Sequence, residues 1–193
     1  MFRRFFLVAI CMAMAGCGAQ IAAMSGIAIV DPGQKAAVMA NMKAENDPYE
    51  GATKITGPVI FHDRNLLGKT YSIRSWISPN NPALNDRFQI YVTANFNEWA
   101  FLQQAYADGR MLDTSQISRD VGSCSGYGCS VSETVGINFS EAELARYRTS
   151  GLSFKIAGKR QDVIMTIPGP YIDAVITFHD AQRGQGAATP KPS

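Results

Sequence analysis

From Thr53 onward apolar residues recur at every second position, and this period of two constrains the chain more than any other feature. Such alternation sends one set of side chains to a buried sheet face and leaves the other set in solvent. Ile55, Val59 and Phe61 alternate around Gly57-Pro58. Tyr71, Ile73 and Ile77 share one face, while Arg74 and Trp76 point the other way. Phe88, Ile90 and Val92 form the clearest run, and residues 99–106, 110–117 and 133–139 continue the pattern. Leu152, Phe154 and Ile156 follow, then Val163, Met165 and Ile167. Turn clusters such as Ser78-Pro79-Asn80-Asn81-Pro82 and Ala107-Asp108-Gly109 separate these runs. The expected fold is therefore mainly β (α+β), an antiparallel β-sheet or sandwich with one or two short packed helices.

Helix signals are few. Ser140-Glu141-Ala142-Glu143 reads as a capping box, with Phe139 and Leu144 placed as a hydrophobic staple and Gly151 free to take a left-handed terminal position. Asp31-Pro32 reads as an N-cap and first helical position of a short helix reaching about Asn41, which Asn46-Asp47-Pro48 breaks. Pro168-Gly169-Pro170 ends the last strand, and Pro170 opens a short helix over Ile172, Val175 and Ile176. Residues 183–193, rich in Gly, Pro and Ala, read as a disordered tail.

The N-terminus carries a different kind of message. Arg3 and Arg4 form a positive start, residues 5–13 an apolar stretch, and small residues follow, which is the build of an export signal. Met14-Ala15-Gly16-Cys17 closely resembles the bacterial lipobox, although Met14 stands where Leu is usual. The resemblance implies cleavage after residue 16, lipid attachment at Cys17 and anchoring in the bacterial cell envelope. Gly18 after the cysteine favours the outer membrane, facing the periplasm. The competing reading is an uncleaved membrane helix over the nearly uncharged residues 5–30, which Gly16, Gly18, Gln20, Ser25 and Gly26 interrupt. On the lipoprotein reading the chain divides into a signal (1–16), a lipidated tether with a short helix (17–47), one β-rich domain (48–182) and the tail (183–193).

Charge narrows the choice of partners. Of 18 Lys and Arg against 16 Asp and Glu, two are Arg3 and Arg4, so the mature chain is balanced at 16 against 16. Polyanion binding draws on clustered cations, and the absence of a cluster in the sequence excludes nucleic acid as an expected partner. The remaining partners are the membrane, through Cys17, and another envelope protein or a cell-wall component.

The most specific feature of the mature chain is Gly122-Ser123-Cys124-Ser125-Gly126-Tyr127-Gly128-Cys129. In an oxidising compartment Cys124 and Cys129 are expected to close a local disulfide, worth about 2 kcal/mol by chain entropy. The sharper alternative places Cys124 as the nucleophile of an envelope hydrolase, since Gly122, Cys124 and Gly126 mimic a nucleophile elbow. That motif needs a helix directly after it, and turn residues follow instead. His62 and His179 stand far apart in the chain as candidate bases, and Asp113, Asp120 and Glu133 straddle the cysteine loop as candidate acids. Trp76, Trp99 and Tyr127 are candidates for lining a binding surface. No metal-ligand spacing, phosphate loop or cofactor motif is present, so no catalytic, cofactor or metal residues are expected. Residues 119–129, with Ile55-Thr56-Gly57-Pro58 and Tyr71-Ser72-Ile73-Arg74-Ser75-Trp76, look like uncharacterised bacterial lipoproteins, a resemblance over residues 48–176 that implies no activity.

Overall fold

The computed structural model describes residues 30–62, 68–126 and 128–187. The signal, Cys17, Tyr127 and residues 188–193 lie outside them. Ten strands form one antiparallel sheet: β1 (Lys43–Asp47), β2 (Ala52–Thr56), β3 (Ile60–Phe61), β4 (Lys69–Ile77), β5 (Arg87–Phe96), β6 (Leu102–Ala107), β7 (Arg110–Ser125), β8 (Gly128–Ser140), β9 (Leu152–Gly158) and β10 (Val163–Ile167). Their order is β1-β2-β4-β5-β8-β7-β6-β9-β10, with β3 also paired to β4. The helices are α1 (Lys35–Ala40), α2 (Glu141–Ala145) and α3 (Gly169–Ala187). The mainly β (α+β) expectation is what the chain adopts.

The sequence alternation becomes cross-strand rows. Tyr71, Val92 and Val135 stand abreast on β4, β5 and β8, as do Ile73, Ile90 and Ile137, and then Ser75, Phe88 and Phe139. All nine are buried. On the other side of the sheet Leu152 faces Ile167, Phe154 faces Met165 and Ile156 faces Val163. Burial of each such side chain contributes about 1.5–3 kcal/mol.

These rows close around α3. Tyr171, Ile172, Ala174, Val175, Ile176 and His179 are all fully buried, so one face of the helix fills the core while Asp173, Thr177 and Asp180 lie toward solvent. It is 19 residues long rather than short, and it runs through residues 183–187, which were expected to open a disordered tail. The stripe of Ile172, Val175 and Ile176 marks its buried face, but residues 181, 183 and 184 of its last turns are exposed and carry no apolar signal of its length. The sheet curls far enough that β10 comes back beside the end of β3, where the Thr166 N–H donates to His62 Nε2 at 3.0 Å.

Two glycines let the chain turn as it does. At Gly57, β2 passes into β3 along one edge of β4, and a Cβ there would lie 2.5 Å from Tyr171 Oη. Gly151 has φ +76, the left-handed conformation expected of it after α2. The capping box at α2 is complete: Ser140 Oγ accepts from Glu143 N–H at 3.3 Å, and Ser140 N–H donates to Glu143 Oε2 at 2.9 Å. Leu144 and Phe139 both join the buried cluster.

Near the start, α1 begins at Lys35 rather than Pro32. Asp31 caps a turn instead, its Oδ1 accepting from Gly33 N–H at 2.9 Å. Residues 43–47, expected within the tether segment, form β1 on the edge of the sheet. Four of its five residues are exposed, so no alternation betrays it.

Candidate functional site

The β7–β8 hairpin is the longest element of the sheet, with strands of 16 and 13 residues. It starts from a tight turn at Asp108-Gly109, where both residues have positive φ (49° and 70°) as a two-residue hairpin turn requires. Its near half belongs to the sheet. Among the described residues β8 still pairs with β5 as far as Val131, so the hairpin leaves the sheet only beyond Val121, and residues 122–124 and 128–130 are exposed. At about 3.4 Å per residue, residues 122–125 reach about 10 Å.

Two one-residue bulges bend β7. One lies between Gln116 and Ser118, and the second between Val121 and Cys124. Each adds a residue to β7 only, which sharpens the local twist. At the tip Cys124 and Cys129 are cross-strand partners joined by a disulfide, as the sequence led one to expect. Gly122 lets the strands meet there, because a Cβ would stand 2.5 Å from Ser130 Oγ. The outer surface of this arm holds small polar residues, and Val121 is 61% exposed on it.

The arm is clamped at its root. Glu133 on β8 is fully buried, and its two carboxylate oxygens accept the N–H groups of Phe101 and Leu102, each at 2.8 Å. Arg119, facing it on β7, donates from Nε to Glu133 at 3.3 Å and from a terminal nitrogen to Leu102 O at 3.2 Å. Arg119 also stands 5.5 Å from the Phe101 ring. Phe101 itself has φ +55, an unusual conformation for a side-chain-bearing residue, and the carboxylate holds its N–H there. The clamp thus ties β7 and β8 to the beginning of β6.

The other candidates do not converge on the cysteines. Cys124 Sγ is bonded to Cys129, and the strand β8 rather than a helix follows the tip. His179 lies in the core: Ser75 Oγ lies 2.9 Å from Nδ1 and Asn85 O lies 3.1 Å from Nε2. A carbonyl can only accept, so Nε2 carries the proton and Nδ1 accepts from the serine. Burial, with Arg183 adding to it, lowers the proton affinity of His179 and keeps it neutral. His62 serves at the β3–β10 seam. Asp113 accepts from Asn138 at 2.9 Å on the outward sheet face, Asp120 is exposed, and Glu133 is buried on the opposite face. The three carboxylates therefore share no cleft. Among the described residues no group of His, Cys, Asp and Glu is placed to hold a metal ion.

Of the aromatic candidates, Trp76 is half-buried on the outward face, with the guanidiniums of Arg74 and Arg87 6.0 and 5.6 Å from its ring. Trp99 is half-buried in the connection from β5 to β6. Sequence reasoning placed Arg74 and Trp76 together on one face but did not see Arg87 or Tyr49 as their neighbours. No family model, no curated protein and no solved structure matches this chain.

Proposed function

We propose that the chain is a membrane-anchored envelope lipoprotein whose domain is a non-catalytic binding module, presenting the β7–β8 arm to another envelope component. The lipobox-like residues Met14 to Cys17 support the anchor and the outer membrane as its place. The disulfide supports an oxidising compartment. The observation that carries the binding reading is the arm itself. The tip of the hairpin runs past the sheet, with the Glu133 clamp near its root and the disulfide at its end, and its exposed residues 122–124 and 128–130 add nothing to the core. An exposed element cross-linked in this way binds a partner at low ordering cost.

Cell fractionation and cross-linked pull-down test both halves. The wild-type chain is expected in the membrane fraction and Cys17→Ala in the soluble one, since two or three acyl chains anchor stably. If Cys17→Ala stays in the pellet after a high-salt wash, a membrane helix holds the chain. A partner captured by the wild type is expected to be lost when residues 122–130 are replaced by a two-residue Asn-Gly turn, which keeps Val121 opposite Val131. Undiminished capture by that variant would remove the arm from the proposal.

A further inference from the structure

The outward face of the sheet gathers cations around an aromatic ring. Lys54 on β2 and Trp76 on β4 are cross-strand partners, and Arg87 at the start of β5 flanks Trp76 on its other side. Arg74, two residues before Trp76 on the same face, lies 3.8 Å over the ring of Tyr91. Among the described residues none of these three cations is paired with a carboxylate. Such a group repels itself, and an anion relieves it.

Arg74 is fixed in advance. A terminal nitrogen donates to Gln89 Oε1 at 2.8 Å, Gln89 Nε2 donates to Asn138 Oδ1 at 2.9 Å, and Asn138 Nδ2 donates to Asp113 and Ser115. Gln89 lies flat because Gly136 beneath it has no Cβ. Arg74 Nε remains buried with no hydrogen-bond partner. The buried Nε is out of a ligand's reach, so the ordered, stacked guanidinium offers an anion its terminal nitrogens, one of which already holds Gln89.

Beside Trp76 the β1–β2 turn borders an open hollow of about 320 Å³, lined by Glu45, Asp47, Tyr49, Glu50, Lys54 and Trp76 among others, with Glu45 directly across from Lys54 in the sheet. Tyr49 is 99% exposed, and nothing in the described fold requires an aromatic there. The hollow therefore offers two aromatic side chains, carboxylates able to accept from hydroxyls, and cations on one flank only.

We infer that this face binds an acidic saccharide, its ring against Trp76 and Tyr49 and its acid group toward Arg74 and Arg87. Sugar rings offer C–H faces to aromatics and hydroxyls to carboxylates, which matches both flanks of the hollow. The acids Glu45, Asp47 and Glu50 turn the ligand's own acid group away from them and toward the arginines. A nucleic acid needs a longer track of cations than three. The site stands apart from the β7–β8 arm and does not depend on the lipid anchor.

Trp76 fluorescence of the full chain, in a Trp99→Phe background, reports binding directly, since the chain has two tryptophans. Probes are trigalacturonate, glucose 6-phosphate, neutral chitotriose, inorganic phosphate and a polyglutamate peptide. Saturable binding of trigalacturonate or glucose 6-phosphate is expected, weakened by salt and weakened about tenfold by Arg87→Gln, which removes one charge-assisted contact. Preference for the first marks a carboxylate-bearing glycan as the ligand, and preference for the second a phosphorylated one. Equal binding of chitotriose overturns the need for an acid group. Equal or tighter binding of phosphate or polyglutamate overturns the saccharide. No saturable change with either acidic sugar overturns the site.

Discussion

Replacing Glu133 by Ala tests the clamp at the root of the arm. In the wild type the carboxylate is fully buried and satisfies the N–H groups of Phe101 and Leu102 at 2.8 Å each. Removal strands both, and a buried donor left without an acceptor costs about 1–3 kcal/mol. Arg119 also loses its partner, though its side chain is 35% exposed and water recovers much of that loss. The expected total is about 3–5 kcal/mol, near the cost of breaking a buried pair from one side. Arg119→Ala should cost less, about 1–2 kcal/mol, because both N–H bonds to the carboxylate survive. Equilibrium urea denaturation followed by circular dichroism measures both. If Glu133→Ala cost less than about 1 kcal/mol, or less than Arg119→Ala, the N–H groups would not depend on the carboxylate and the clamp would be no more than a surface ion pair.

Three further outcomes follow from the fold. Ser140→Ala should lose about 1 kcal/mol as a missing N-cap, and Leu144→Ala about 2–4 kcal/mol as a hole in the core, both by denaturation. Gly57→Ala should cost about 1–3 kcal/mol through its clash with Tyr171 Oη, and Tyr171→Phe should relieve part of that, so the double variant is less destabilised than the sum. His179 has its proton affinity lowered in the fold, chiefly by burial, so the unfolded chain binds the extra proton first. Its contribution is fully present above the ordinary histidine range, near pH 6.5, and declines as pH falls below it. Stability at pH 5.5 should therefore drop relative to pH 7.5 more in the wild type than in His179→Asn, and equal drops would show that the fold leaves the proton affinity of the ring unchanged.

What the sequence disclosed was decided by one-sided burial. Phe88, Ile90 and Val92 alternate because β5 has one face in the core, and they were legible for that reason. The capping box at Ser140 was legible because it is local chemistry within four residues. The far half of β7 and β8 was not, since residues 119–124 and 128–130 are exposed and leave no apolar record. The start of α3 and its stripe of Ile172, Val175 and Ile176 were legible, but its length was not, because residues 181, 183 and 184 of its last turns are exposed. Of the candidate site, the disulfide followed from spacing and compartment, but the neighbours of Trp76 come from β1, β2 and β5 through pairings no local window contains.

The helix at the centre of the curled sheet is also the last described element of the chain. Strands β1 to β10 are complete by residue 167, yet the side chains that fill their hollow, from Tyr171 to His179, come after them. A chain that ends before this helix is a rolled sheet with an empty middle, and no local rearrangement supplies the missing volume. The core is therefore completed only where this C-terminal helix packs against the strands that precede it.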